Sequence, residues 1–220
     1  MIAKRCVDVV VASVLLVLSL PLLLLIAITV AATSGVPVIY RAHRVGRGGE
    51  SFVMLKFRTM RVGAAGPAVT GSDDPRITPV GAVLRRTKLD ELPQLVNVLR
   101  GDMSLVGPRP EDPRFVSRYT PEQREVLTVR PGITSPAAIC FRNEERMLSA
   151  ADPNFEEIYA TTIMQAKLAI DLDYVRQRNF WWDTAILWHS LAAVVQSGHG
   201  DPTQVTAHQL SPSGRMVSRG

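Results

Sequence analysis

The sequence predicts an α-rich α+β chain: one long apolar helix at the N-terminus, then a compact, membrane-associated domain with few short strands. Three observations lead there. Val9 to Ala32 is a run of 24 residues without a charge, interrupted only by Ser13, Ser19, Pro21 and Thr29. Further along, Leu92, Leu95, Val96 and Leu99 recur at helical spacing, and two more helical segments lie nearer the C-terminus. The net charge of +5 is unevenly placed: eight Lys or Arg against two acids through Arg61, then 17 against 18 in the remaining 159 residues. Basic residues flanking an apolar run suit contact with anionic lipid headgroups. At 220 residues the chain can form one good-sized core, but not two ordinary domains plus a membrane segment. The expected division is a membrane-inserted helix over 1–35, the compact domain over 36–197 and a disordered tail over 198–220. The tail is polar and punctuated by Gly, Pro and Ser.

The apolar run is too long for a signal-peptide core, and no small-residue cleavage site follows it cleanly. As a straight helix it would reach about 36 Å, enough to cross a bilayer. Its flanks argue otherwise. Lys4 and Arg5 precede it and Arg41, Arg44 and Arg47 follow it, so a crossing would put one basic cluster on the outer face. Pro21, near the middle, removes a helical hydrogen bond, and Ser19 offers a hydroxyl to the freed backbone. A helix bent at Ser19–Pro21 would dip into one leaflet and return. A plain single-pass anchor with a tolerated proline is the alternative, and the residues leave both open.

Pro37 to Met60 reads as a short connection and a strand-like or partly helical basic segment, with Gly46, Gly48 and Gly49 marking a turn. It ends in MLKFRTM, where Lys56 and Arg58 project two cations to one side of an otherwise apolar element. Val62 to Asp74, rich in Gly, Ala, Ser and Pro, is a flexible loop.

Leu89 to Pro110, LDELPQLVNVLRGDMSLVGPRP, is the most informative stretch. Pro93 is tolerated only in a first helical turn, which favours Asp90 as the N-cap, and Gly101 ends the helix. Asp90 and Glu91 would then sit among unpaired N–H groups at the positive end of the dipole, favouring their ionised forms. Such a pair can cap the helix, bind a divalent metal or attack an electrophile. A capping Asp beside a solvated Glu is its commonest fate. Against that, Arg85, Arg86 and Lys88 crowd in just before the pair, and Arg109 follows in a rigid GPRP turn. Acids wrapped in cations point to a site for phosphates and a metal.

Beyond it, RPGIT (Arg130 to Thr134) is a turn that presents another arginine, and Arg142 follows in FRNEER. Asp152–Pro153 starts a helix running towards Tyr174, with Glu156 and Glu157 in its first turn. Asp171-Leu172-Asp173 within it reads as a solvated helix face. Phe180 to Val195 is a final apolar helix carrying Trp181, Trp182 and Trp188, suited equally to a membrane interface or to core packing.

Several function classes drop out. Cys6 and Cys140 form no disulfide framework, and the four histidines make no zinc pattern. No basic face with groove-reading aromatics is visible, so no nucleic-acid partner is expected. There is no Walker A loop, dinucleotide-binding glycine fingerprint or GxSxG elbow. Phosphate chemistry here must run on arginines, a metal and the acidic pair.

With these residues in place, the chain resembles the bacterial sugar transferase family, the monotopic phosphoglycosyl transferases, in its minimal form. The motifs are KRCVDV from Lys4, MLKFRTM, the central Leu89–Pro110 stretch, RPGIT and the Trp-bearing terminal helix. The resemblance implies an enzyme of the bacterial inner membrane with its catalytic domain, residues 36–197, on the cytoplasmic face. It implies a nucleoside-diphosphate sugar donor, usually UDP-linked, and a polyprenyl (undecaprenyl) phosphate acceptor. Sugar-1-phosphate would pass to the lipid with release of UMP, starting exopolysaccharide, lipopolysaccharide or glycoconjugate assembly. The family's nucleophile falls on Asp90, its Mg2+-holding acid on Glu91, and its phosphate-contacting cations on Lys56, Arg85, Arg109 and Arg142. Its re-entrant membrane helix, broken at a Ser–Pro step, favours the bent reading at Ser19 and Pro21, although one residue separates the two here. Where many members continue RPGIT with Gly-Trp-Ala-Gln, this chain has SPAAICFRN. Two other readings accompany this one: a polyprenyl-diphosphate phosphohydrolase with water as acceptor, and a non-catalytic membrane-anchored scaffold in a polysaccharide assembly complex. Nothing in the sequence specifies the sugar, the nucleotide or an oligomeric state.

Overall fold

The computed structural model describes residues 2–196 except 65, 68, 72, 73 and 149–151, so the tail expected over 198–220 lies outside the described residues. Helix α1 (Ile2–Ser34) is followed by a hairpin of β1 (Ile39–Val45) and β2 (Ser51–Phe57), turning at Arg47–Gly49. Next come α2 (Pro79–Thr87), a tight turn at Leu89–Glu91, α3 (Gln94–Arg100), β3 (Ser104–Val106) and α4 (Pro113–Val116). Then follow β4 (Gly132–Thr134), α5 (Pro136–Cys140), α6 (Phe155–Ile158), α7 (Met164–Gln177) and α8 (Phe180–Gln196). A π-helical turn over Tyr159–Ile163 joins α6 to α7 without a break, so the helix expected from Asp152–Pro153 begins at Phe155 and reaches Gln177. The architecture is α-rich α+β, with four short strands among the described residues.

The hairpin is antiparallel and in simple register, Ile39 opposite Phe57 and Val45 opposite Ser51. Its Met54 packs with Leu95, Val98, Met103, Tyr174, Trp182 and Ile186 in the central core. Strands β3 and β4 pair in parallel, Ser104 with Gly132 and Val106 with Thr134. Two glycines make that approach possible: a Cβ on Gly132 would meet the Gly107 nitrogen at 2.2 Å. The GPRP and RPGIT turns are thereby locked together. The arginine of the second, Arg130, donates to the Gly101 carbonyl at 2.7 Å and so holds the end of α3.

Helix α1 is the one helix among the described residues long and apolar enough to cross a membrane. It stays helical through Pro21. Ser19 donates to the Leu16 carbonyl at 3.1 Å, rather than to the Val17 carbonyl whose usual i+4 donor is missing at Pro21. One face is exposed, with Val10, Val17, Leu18, Leu24, Leu25 and Ile28 outward. The other is fastened to the domain at both ends. Near its start, Lys4 pairs with Asp183 of α8, and Arg5 donates to the Val98 and Leu99 carbonyls at the end of α3. Asp8 is buried and accepts from the Ser104 hydroxyl at 2.8 Å and the Leu105 N–H. Near its end, Ile26 and Val30 pack on Phe57 and Leu84, and Arg58 donates to the Ser34 and Gly35 carbonyls. A guanidinium on terminal carbonyls satisfies acceptors that the helix cannot and meets the negative end of its dipole.

Arg58 therefore departs from expectation. Strand β2 ends at Phe57, so Lys56 and Arg58 do not share a side: Lys56 faces the acidic pair and Arg58 serves α1. The final helix divides its indoles between core and surface. Trp182 is buried against Tyr174, ring centroids 5.3 Å apart, while Trp181 and Trp188 are 78% and 69% exposed.

Candidate active site

The acidic pair lies in a tight turn between two helices, and that local geometry differs from the expected helix start. Thr78 caps α2, accepting from Gly81 N–H at 3.0 Å, and α2 stops at Lys88, whose φ of 59° is left-handed. A non-glycine residue there costs of order 1–3 kcal/mol and persists because its surroundings impose it. The reversal feeds Leu89–Glu91, where Glu91 N–H bonds the Lys88 carbonyl and Leu92 N–H the Leu89 carbonyl. Pro93, not Asp90, occupies the cap position of α3, and no side chain caps that helix. Gly101, at φ 96°, ends α3 as expected.

The consequence is electrostatic. Asp90 and Glu91 are both buried, at 6% and 8% exposure, yet their situations are opposite. Glu91 Oε1 accepts from Lys56 Nζ at 3.1 Å and Arg109 Nη2 at 2.6 Å, and Oε2 lies 3.4 Å from Arg109 Nη1. Burial alone would raise its pKa, but Arg109 and Lys56 outweigh burial and hold it well below the usual carboxylate range. Asp90 Oδ1 is buried without a hydrogen-bond partner. Burial pushes the Asp90 carboxyl above its ordinary value, opposed by Lys56 and reinforced by the charge on Glu91. The expectation that a helix terminus would favour ionised Asp90 is corrected here, because Asp90 meets no cap-type donor. Burial likewise lowers Lys56, against the pull of Glu91, whereas the charge on Glu91 raises Arg109.

Arg85, on the last turn of α2, donates from Nε to the Thr59 hydroxyl at 2.9 Å and from Nη1 to Glu145 Oε1 at 2.9 Å. Its charge is among those acting on Asp90. Helix α2 lies so close to Thr59 that a Cβ on Gly81 would fall 2.0 Å from the Thr59 carbonyl oxygen. Arg142 lies just past the end of α5, and burial alone lowers its pKa. Lys56, Arg85 and Arg109 thus act electrostatically on the acidic pair.

Behind Arg109 lies a further group of buried charges, Asp171 and Lys167. Asp171 is not on a solvated face: it is 4% exposed and accepts from Ser135 Oγ, Ala137 N–H and Arg109 N–H at 3.3–3.4 Å. Burial raises its pKa to about 6 in spite of those donors. It ties the GPRP turn to the start of α5. Lys167, also buried, pairs with Glu144 at 2.7 Å and accompanies Glu111 and Tyr159, whose hydroxyl donates to Glu111. A signal was present, since Lys167 and Asp171 share the helical stripe of Leu168 and Leu172. Ser104, the nearest hydroxyl after the acidic pair in the same stretch, lies on β3 and donates to Asp8.

Among the described residues, no group of three or more Asp, Glu, His or Cys side chains is arranged to hold a metal ion. The acidic pair supplies two carboxylates, one with an open oxygen. That set suits a hard cation such as Mg2+ when a bound diphosphate and water complete its oxygen shell.

Comparison with known proteins agrees in extent and kind. The chain is 39% identical over 197 residues to a UDP-glucose:undecaprenyl-phosphate glucose-1-phosphate transferase of Caulobacter vibrioides, covering 87% of this chain and 69% of that protein. A protein of the same description from Escherichia coli K12 is 38% identical over 84% of this chain, which spans 38% of that relative's length. The exopolysaccharide production protein ExoY of Rhizobium meliloti is 37% identical, covering 89% of this chain and 86% of its own. A family model described as bacterial sugar transferase matches residues 1–197, taking in α1, the hairpin, the acidic turn and α8. By that match and these identities, the chain belongs to the bacterial sugar transferase family.

Proposed function

We propose that this protein is a phosphoglycosyl transferase that moves a sugar-1-phosphate from a nucleoside-diphosphate sugar, most simply a UDP-sugar, to polyprenyl (undecaprenyl) phosphate. The observation that carries the proposal is the buried, unpartnered Oδ1 of Asp90 beside a Glu91 saturated by cations. An oxygen with no hydrogen bond to break is a ready nucleophile, and a carboxylate needs no general base. In the first step Asp90 forms a bond to the sugar-bearing phosphorus, and the bond to the nucleotide breaks, releasing UMP with the electron pair. In the second, an oxygen of the lipid phosphate attacks the same phosphorus, and Asp90 leaves as carboxylate. Lys56, Arg85 and Arg109 offset charge on the diphosphate during both displacements, since electrostatics and positioning carry most of phosphoryl-transfer catalysis. Arg142 is assigned to the donor phosphates by the family resemblance. Glu91 would help to hold Mg2+, which when bound would offset charge on the diphosphate oxygens. As donor arrives, Lys56 and Arg109 turn towards its phosphates, which frees oxygens of Glu91.

The attachment of α1 supports placing residues 36–197 as a catalytic domain on the cytoplasmic face of the inner membrane. A helix fastened at both ends to one domain presents both basic flanks to the same side, as the positive-inside bias requires. The lipid phosphate then meets the site at the membrane surface while its tail stays in the bilayer.

The test is a donor-only incubation. UDP-sugar and Mg2+ without polyprenyl phosphate should release one UMP per enzyme and add one sugar-phosphate mass to the protein. Adding lipid phosphate should restore turnover. Continuous UMP release without lipid would identify a phosphohydrolase, and no donor-only burst would exclude the covalent step.

A further inference from the structure

Glu145 has no part in the proposed reaction, yet it holds one of that reaction's cations. Its Oε1 lies 2.9 Å from Arg85 Nη1, with 39% of the Glu145 side chain exposed and 18% of the Arg85 side chain. The other edge of Arg85 rests on the Thr59 hydroxyl, itself buried against α2. The two partners differ in kind. A hydroxyl orients a guanidinium without neutralising it, whereas a carboxylate does both. Thr59 is fixed by the Gly81 contact. Glu145 sits on a short turn, Glu144–Met147, held at Glu144 by Lys167 and open to solvent at Glu145. The arrangement repeats at a second place: Lys56 and Arg109 rest on Glu91, so each of these three cations already bears an internal anion. Glu91 is buried in the acidic turn, and Glu145 is the partner placed to swing away.

We infer that Glu145 is an internal stand-in for donor phosphate on Arg85, displaced when a nucleoside diphosphate binds and restored when the nucleotide leaves. The inference rests on the phosphate-binding reading of Arg85. Its consequence is that Glu145 sets nucleotide affinity: an entering diphosphate must compete with a tethered carboxylate, and re-pairing speeds departure of the spent nucleotide.

UDP titrated into the full chain in nanodiscs with Mg2+ tests this by a double-mutant cycle. Glu145→Gln keeps an acceptor for Arg85 but removes the charge, and should lower the UDP dissociation constant by about two- to fivefold. Arg85→Ala should weaken UDP binding, and in Arg85→Ala/Glu145→Gln the second substitution should change nothing. An unchanged or weaker affinity in Glu145→Gln, or a tightening that persists without Arg85, would overturn the inference. The underlying reading is separable. Undiminished UDP binding in Arg85→Ala would end both, whereas weakened binding there without tightening in Glu145→Gln would end the inference alone.

Discussion

The long apolar helix α1 and the acidic turn handle polar groups in opposite ways. On α1 the middle is apolar and exposed, and its polar contacts with the domain gather near the ends: Lys4, Arg5 and Asp8 reach partners in the domain at one end, and Arg58 of the domain holds the last carbonyls of α1 at the other. In the acidic turn the charges are buried together: both Glu91 oxygens face cations, while Asp90 Oδ1 has no hydrogen-bond partner. The contrast separates attachment from chemistry. Apolar packing gains little for a helix that could contact lipid instead, so polar clamps give α1 its position. At the turn, pairing is needed merely to tolerate burial, and Asp90 Oδ1 goes without it.

The largest expected effect separates the two regions cleanly. Asp90→Asn should lose the sugar-phosphate adduct and at least about 10³-fold in turnover while remaining folded and membrane-bound. Intact mass and vesicle flotation check both halves, and an undiminished adduct in that variant would remove Asp90 as nucleophile. Next, Glu91→Gln weakens the anchor of Lys56 and Arg109. Turnover should fall about 10- to 100-fold and the Mg2+ requirement should rise. Unchanged metal dependence would take Glu91 out of the metal shell.

On the other region, Asp8→Ala leaves the Ser104 hydroxyl and the Leu105 N–H without their acceptor. It should destabilise the domain by about 1–3 kcal/mol, read from thermal unfolding in detergent, with donor-only UMP release retained at permissive temperature. The proposed topology has its own test: cysteines introduced at positions 3 and 38 should be equally protected from an impermeant thiol reagent in intact cells. Labelling of the N-terminal site alone would establish a crossing helix.

The smallest effect is a pH displacement. Only ionised Asp90 can attack, so activity falls on acidification as its carboxyl protonates. Because burial raises that pKa, the acid limb of the rate profile should lie above the ordinary aspartate value of 3.8. Lys56 opposes the rise, so Lys56→Gln should move the limb further up. A downward movement would show that another group controls it.

Much of the fold was legible because it follows local rules. The uncharged run from Val9, the glycine stop at Gly101 and the spacing of Leu92, Leu95 and Leu99 each act within a few turns of chain. Local rules misled at Asp90, where Pro93 seemed to demand a helix start. They also failed at Asp171, where an acid on a helix was assigned to solvent. At Asp90 the left-handed reversal at Lys88, two residues before it, decides the geometry, whereas at Asp171 the deciding contacts, Ser135 and Arg109, come from elsewhere in the chain.

The sequence by itself determined the family, the apolar helix with its basic flanks, and the gathering of cations around an acidic pair. Tertiary structure alone decided which cation meets which acid. Lys56 and Arg58 are two residues apart, yet one serves Glu91 and the other the end of α1. Asp90 and Glu91 are neighbours, yet one is saturated and the other open. The physical reason is that charge pairing and desolvation depend on distance in space. Side chains 18 to 179 residues apart set them here, from Arg109 on Glu91 to Lys4 on Asp183, beyond the reach of any local pattern.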